Sequence, residues 1–151
     1  MKSNTGVTLT SLVIYVVGLV IIVGLMSTFN GYFNKNLNEV VIKQNSQEQY
    51  SKFLSYLTKD VNSENLIYVK SGVNSQDCII FKFNNGEEHQ YIYQNDSIYY
   101  LNIDSQNEKK ITLCRNVSLL STKAFSYLNG KIDVNFNIND ENFSSSLNVN
   151  I

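Results

Sequence analysis

Between Ser3 and Asn34 the chain carries no charged side chain, and within that stretch Val7–Phe29 is almost unbroken apolar sequence. At ~1.5 Å of rise per residue this run makes roughly 35 Å of helix, enough to cross a hydrocarbon core of ~30 Å with some tilt. Past Phe29 the pattern changes without stopping. Phe29, Phe33, Leu37, Val40/Val41, Tyr50, Phe53/Leu54, Leu57 and Val61 recur at three- and four-residue steps, the spacing of one helix face. A single helix from Val7 to about Asp60, roughly 80 Å long, fits both halves. Its first half would lie in a membrane and its second half would pack amphipathically on a folded domain. The polar patch Gln44–Gln49 interrupts the stripe and reads either as a surface-facing turn of the helix or as a break.

Beyond Asn65 the period becomes two, the signature of half-buried strands. Candidate strands are Leu66–Lys70, Cys78–Phe83, His89–Gln94, Ile98–Ile103, Lys110–Arg115, Lys123–Leu128, Ile132–Ile138 and Ser144–Val149. Asn84-Asn85-Gly86, Asn95-Asp96, Asn129-Gly130 and Asn139-Asp140-Glu141-Asn142 read as turns, since Asn, Asp and Gly enter positive φ at low cost. Val134, Phe136 and Ile138 alternate with Asp133, Asn135 and Asn137, so one face of that strand is buried and the other wet. The predicted class is α+β: a long N-terminal membrane-spanning helix that continues amphipathically and packs on antiparallel β-sheet.

The left edge of the apolar run narrows its meaning. A cleaved secretory signal has an apolar core of about 7–15 residues ahead of small residues at the cut. Val7–Phe29 is longer, and Met26-Ser27-Thr28-Phe29 is a poor cut site. A plain signal anchor, with Lys2 kept in the cytoplasm, is the other general reading. The segment Met1-Lys2-Ser3-Asn4-Thr5-Gly6, followed at once by Val7-Thr8-Leu9-Thr10-Ser11-Leu12-Val13-Ile14, resembles the type IV prepilin family. The resemblance implies a short positive leader cut between Gly6 and Val7 by a prepilin peptidase, with N-methylation of Val7 as the new first residue. Glycine suits such a bond because, lacking Cβ, it lets a protease approach an extended backbone closely. Thr8 and Leu9 match the family's usual second and third mature positions, but the fifth is usually Glu and here is Ser11. In major pilins that carboxylate is thought to meet a neighbour's N-terminal amine inside the fibre. A serine cannot do this, although its hydroxyl can bond a carbonyl one turn back or reach another helix. The departure turns the resemblance toward a minor pilin or pseudopilin.

The organisation so implied is a leader (1–6), a transmembrane half-helix (7–29), an amphipathic half-helix (30–60) and an extracytoplasmic antiparallel β domain (61–151). The implied location is the cytoplasmic membrane, single-pass with the N-terminus inside, and then a cell-surface pilus or pseudopilus. The implied partners are prepilin peptidase, other pilins through helix positions such as Thr8 and Ser11, and the membrane. The implied function is structural, as a subunit of a type IV pilus-like fibre serving motility, type II secretion or competence. A signal-anchored extracytoplasmic ligand-binding module that never polymerises is the alternative.

Composition changes this picture little. Of 151 residues only 17% are charged and the formal net charge is −1, which leaves no electrostatic footprint for nucleic acid. Asn and Ser supply the polarity, and proline is absent. Candidate chemistry is sparse, and neither an enzyme, a cofactor nor a metal is expected. His89 is the single histidine and reads as an exposed strand residue. Asn139, Asp140, Glu141 and Asn142 lack the ligand spacing of a calcium loop and read as a plain turn. Lys109, Lys110 and Arg115 form the main basic cluster and read as a solvated strand face. Cys78 and Cys114 stand in separate strands of a domain expected outside the membrane. A disulfide and a pair of buried thiols both remain open for them.

Overall fold

The computed structural model describes residues 5–72, 77–104 and 107–149, with side chains from residue 9 onward. Helix α1 runs unbroken from Thr5 to Val61. The polar patch does not interrupt it: Gln49 Nε2 donates to Asn45 Oδ1 one turn back at 2.5 Å, and Gln49 Oε1 accepts the Arg115 N–H at 2.7 Å. The helix ends where Asn62 N–H makes a last bond to Thr58 O at 3.0 Å and Ser63 N–H tightens onto Asp60 O at 3.2 Å. Lys59 in the last turn complements the helix dipole.

The chain divides into two compact units, Met1–Val41 and Ile42–Ile151. In the first, the large apolar side chains of α1 are open to solvent. Thr28 satisfies its hydroxyl within the helix, donating to Leu25 O at 2.9 Å and Gly24 O at 3.2 Å. Phe33, Leu37, Val40 and Val41 share a stripe with Phe53 and Leu57 by periodicity, yet they are 45–61% exposed while Phe53 and Leu57 are fully buried.

Among the described residues the second unit holds the end of α1 and nine strands, all paired antiparallel. A five-stranded meander is formed by β1 (Leu66–Ser71), β2 (Cys78–Phe83), β3 (Glu88–Gln94), β4 (Ser97–Ile103) and β5 (Glu108–Arg115), in that order. The second sheet is built on β8 (Lys131–Ile138). Strand β9 (Glu141–Asn148) lies along one edge of β8, and β6 (Val117–Leu119) and β7 (Phe125–Leu128) share the other. The predicted strands recur with small shifts, except that three-residue β6 has no periodic signature. β7 starts at Phe125 rather than Lys123 because the Asp77 carboxylate captures the Ala124 and Phe125 N–H groups. β9 starts at Glu141 rather than Ser144 because the turn is two residues, Asn139 (φ 49°) and Asp140 (φ 67°), rather than four. Two positive φ values match the right-handed twist of a hairpin. Asn129-Gly130 closes the β7–β8 hairpin in the same way.

Both sheets meet on one helix face. Phe53 sits between them, its ring 5.9 Å from Tyr91 of the first sheet and 5.5 Å and 6.1 Å from Phe136 and Phe125 of the second. Leu57, Val61, Ile79, Phe81, Ile98, Ile132, Val134 and Ile138 are among the other buried side chains of this core.

Candidate functional site

Two features of α1 stand out. The first is its exposed apolar length. From Leu9 to Ile42 its large apolar side chains are 45–75% exposed. Each such side chain gains about 1.5–3 kcal/mol on full burial, so a surface this long is costly to leave in water. By length and composition the helix can cross a membrane, as an anchor or a signal sequence does. Ser11 is exposed within this run. Residues 1–4 lie outside the described residues, and of Gly6, Val7 and Thr8 only the helical backbone is described.

The second feature is a buried polar clamp at the other end of the helix. Asp60 is 4% exposed. Its Oδ1 accepts His89 Nδ1–H at 2.9 Å, and its Oδ2 accepts the Tyr91 hydroxyl at 2.6 Å. His89 and Tyr91 are two apart on β3 and therefore share a face, which lays both donors against the helix end. His89 is thus not the exposed strand residue that the sequence suggested: its side chain is 13% exposed. Its ring lies 4.6 Å from that of Phe83 and 5.2 Å from that of Tyr100. His89 Nε2 is buried without a hydrogen-bond partner among the described residues. A pocket of about 170 Å³ beside it is lined by Lys59, Asn85 and Glu87 among others. Burial, and after it the Asp60 carboxylate, raises the Tyr91 phenol far above its ordinary 10.0, and Tyr100 is raised for the same two reasons. The clamp is a fastening between helix and sheet. A carboxylate on an apolar stripe, at i+3 from Leu57 and i+7 from Phe53, was the sequence signal for it.

A second polar fastening holds the helix to the other sheet. Ser46, fully buried, donates to Ile42 O at 3.0 Å and accepts from Asn139 Nδ2 at 2.9 Å, while Asn139 Oδ1 accepts from Asn116 Nδ2 at 2.9 Å. Asn139 therefore serves as a hydrogen-bonded turn, and Glu141 pairs with Lys43 at 3.6 Å. Among the described residues no group of three or more His, Cys, Asp or Glu is arranged to hold a metal.

The cysteines do not form a bridge. Cys78 on β2 and Cys114 on β5 are both free and buried. Three strand spacings separate them in the sheet order, which is about 14 Å at ~4.8 Å each, against the roughly 7 Å a disulfide can span. Burial pushes the Cys114 thiol up to about 12, and its S–H donates to Gln49 O at 3.6 Å. The basic cluster also disperses. Lys110 stands over the Tyr99 ring at 4.1 Å, Lys109 points to the opposite face of β5, and Arg115 lines an open polar cleft with Glu48 and Lys52. No protein-family model, curated protein or solved structure matches this chain.

Proposed function

We propose that this chain is a minor pilin or pseudopilin, a structural subunit carried into a type IV pilus-like fibre by its N-terminal helix. Prepilin peptidase cuts Gly6–Val7 and methylates Val7. The helix rests in the cytoplasmic membrane with its N-terminus inside, and on assembly it moves into contact with the helices of other pilins. The observation that carries this reading is the exposed apolar run of α1, continuous with a helix that ends on two antiparallel sheets. This is a pilin-like architecture. Ser11 in place of a carboxylate supports a subunit present in few copies, at an initiating complex or tip.

The test is processing in a host with active prepilin peptidase. Intact-mass and N-terminal peptide analysis of the membrane-extracted protein should give a chain beginning at methylated Val7. Retention of Met1–Gly6 would overturn the reading. Ser11 also favours the second reading, a signal-anchored extracytoplasmic binding module. That module would keep Met1–Gly6 and be missing from sheared fibres.

A further inference from the structure

Where α1 passes β5, an edge strand of the first sheet, it leaves an open cleft of about 460 Å³. Small-molecule sites span ~300–1,000 Å³. Asn45, Glu48, Gln49 and Lys52 line the cleft from the helix, where steps of three and four residues put them on one face. The opposite wall is the end of β5, and its backbone departs from regular strand twice. Leu113 is a bulge, an extra residue between Thr112, which pairs with Tyr99, and Cys114, which pairs with Ile98. Asn116 takes a left-handed φ of 54°. Bulges recur beside binding sites because they re-aim neighbouring side chains, and Arg115, between the two irregularities, lines the cleft.

The amides of this cleft are held in place. Gln49 is fixed at both ends of its amide, by Asn45 Oδ1 at 2.5 Å and the Arg115 N–H at 2.7 Å, and its backbone carbonyl accepts the Cys114 thiol at 3.6 Å. Asn116 Nδ2 donates to Asn139 Oδ1 at 2.9 Å. The charged members are uncommitted. Glu48, Lys52 and Arg115 are exposed, and none of them enters an ion pair among the described residues. Two cations against one carboxylate make the lining positive, in a chain whose formal net charge is −1. Fixed amides beside uncommitted and mainly positive charge suit an anion that also carries polar groups of its own.

The lining narrows the class of anion. Among the described residues Leu113 is its one apolar member, and it is buried, so a lipid or aromatic ligand finds nothing to pack on. Nucleic-acid strands bind on basic tracks with aromatic stacking platforms, which this cleft lacks, and Glu48 repels phosphate. An extended peptide would add to the β5 edge through backbone bonds, but the Arg115 N–H there is already spent on Gln49. A sugar acid fits what remains. A guanidinium pairs a carboxylate through two parallel bonds, and side-chain amides, a hydroxyl and a carboxylate supply the donors and acceptors that neighbouring sugar hydroxyls need. We propose that this cleft binds an acidic saccharide, with the carboxylate of a uronic-acid unit on Arg115 and Lys52 and its hydroxyls on Glu48, Asn45 and Thr112. The cleft lies wholly within the second unit, so the proposal stands on either reading of the N-terminal helix.

The experiment titrates the full chain, in neutral detergent micelles, with tetragalacturonate, its methyl ester and tetraglutamate, and follows the NMR signals of backbone and side-chain amides. Tetragalacturonate should shift the Gln49 and Asn116 side-chain amides saturably, with a dissociation constant on the order of 1 mM. The ester, which lacks the carboxylates, should not. Arg115→Ala and Arg115→Gln should each weaken binding about tenfold, as loss of a charge-assisted pair does. Lys52→Ala should weaken it too, whereas Lys110→Ala, which removes an equal charge over the Tyr99 ring outside the cleft, should leave it unchanged. All four variants alter exposed side chains, and circular dichroism should match the wild type. A chain that tetragalacturonate does not saturate would overturn the proposal. So would equal weakening by Lys110→Ala, equal binding of the methyl ester, or tighter binding of tetraglutamate, which would make this a peptide site.

Discussion

Replacing Asp60 with alanine tests how the helix is held to the first sheet. The carboxylate is the acceptor for both His89 Nδ1–H and the Tyr91 hydroxyl, and the Tyr91 side chain is fully buried. Losing it orphans two buried donors at about 1–3 kcal/mol each. Part of this is offset because a carboxylate no longer has to be kept out of water. The expected net loss is about 2–4 kcal/mol, at the severe end for a single substitution. Tyr91→Phe should cost about 1.5–3 kcal/mol as a lost hydrogen bond to a charged group. The double variant should fall short of additivity by about 1–2 kcal/mol, since the two side chains share one bond. Urea unfolding of the full chain in detergent, read by near-UV circular dichroism of the buried tyrosines, measures all three, and the chain has no tryptophan to mask them. The alkaline limb gives an independent check. Above pH 10 an unfolded chain releases the phenolic proton of Tyr91 while the folded chain keeps it, its phenol being raised by burial first and by Asp60 second. The folded state then binds more protons, so stability falls as pH rises, by up to about 1.4 kcal/mol per pH unit for each such phenol. Below pH 10 this group adds no slope. Tyr91→Phe should flatten the fall. An Asp60→Ala cost within ~0.5 kcal/mol, an additive double variant, or an unchanged alkaline slope in Tyr91→Phe would refute the clamp.

The same unfolding assay should separate the two parts of the helical stripe. Phe53→Ala is expected to cost about 3–5 kcal/mol as a core deletion, and Phe33→Ala, half exposed, no more than ~0.5 kcal/mol; equal costs would show that Phe33 is covered within the chain. Cys78 and Cys114 should resist iodoacetamide in the native state at neutral pH and react together on unfolding, because both are buried and the Cys114 thiol stays protonated. Labelling of either at the rate of a free thiol would contradict their placement. Ser11→Ala should cost assembly on the order of 1 kcal/mol or less, and Ser11→Glu should help only where a neighbour offers an N-terminal amine. Abundance in sheared fibres reads both, and loss of assembly in Ser11→Ala at normal membrane levels would mean that Ser11 makes an essential contact.

Periodicity alone located the long helix, most of the strands and the hairpin signals, because a 3.6-residue or two-residue repeat is imposed locally by burying one face. Asn95-Asp96 and Asn129-Gly130 adopt the positive φ that their side chains tolerate. The apolar run from Val7 was equally legible, since membrane-crossing length is a property of consecutive residues. The stripe could not tell Phe33 from Phe53, because the same spacing serves a helix covered by its own sheets and one left bare for another partner. Nor could it show that Asp60, His89 and Tyr91 converge, or that Ser46 meets Asn139. These pairs lie far apart in the chain, and only the meander and the turn into the second sheet bring them within hydrogen-bonding reach. The cysteines show the same division. Residue type and alternation marked both as buried or bridged, and strand order decided between the two by setting them three strand spacings apart, beyond the reach of a disulfide.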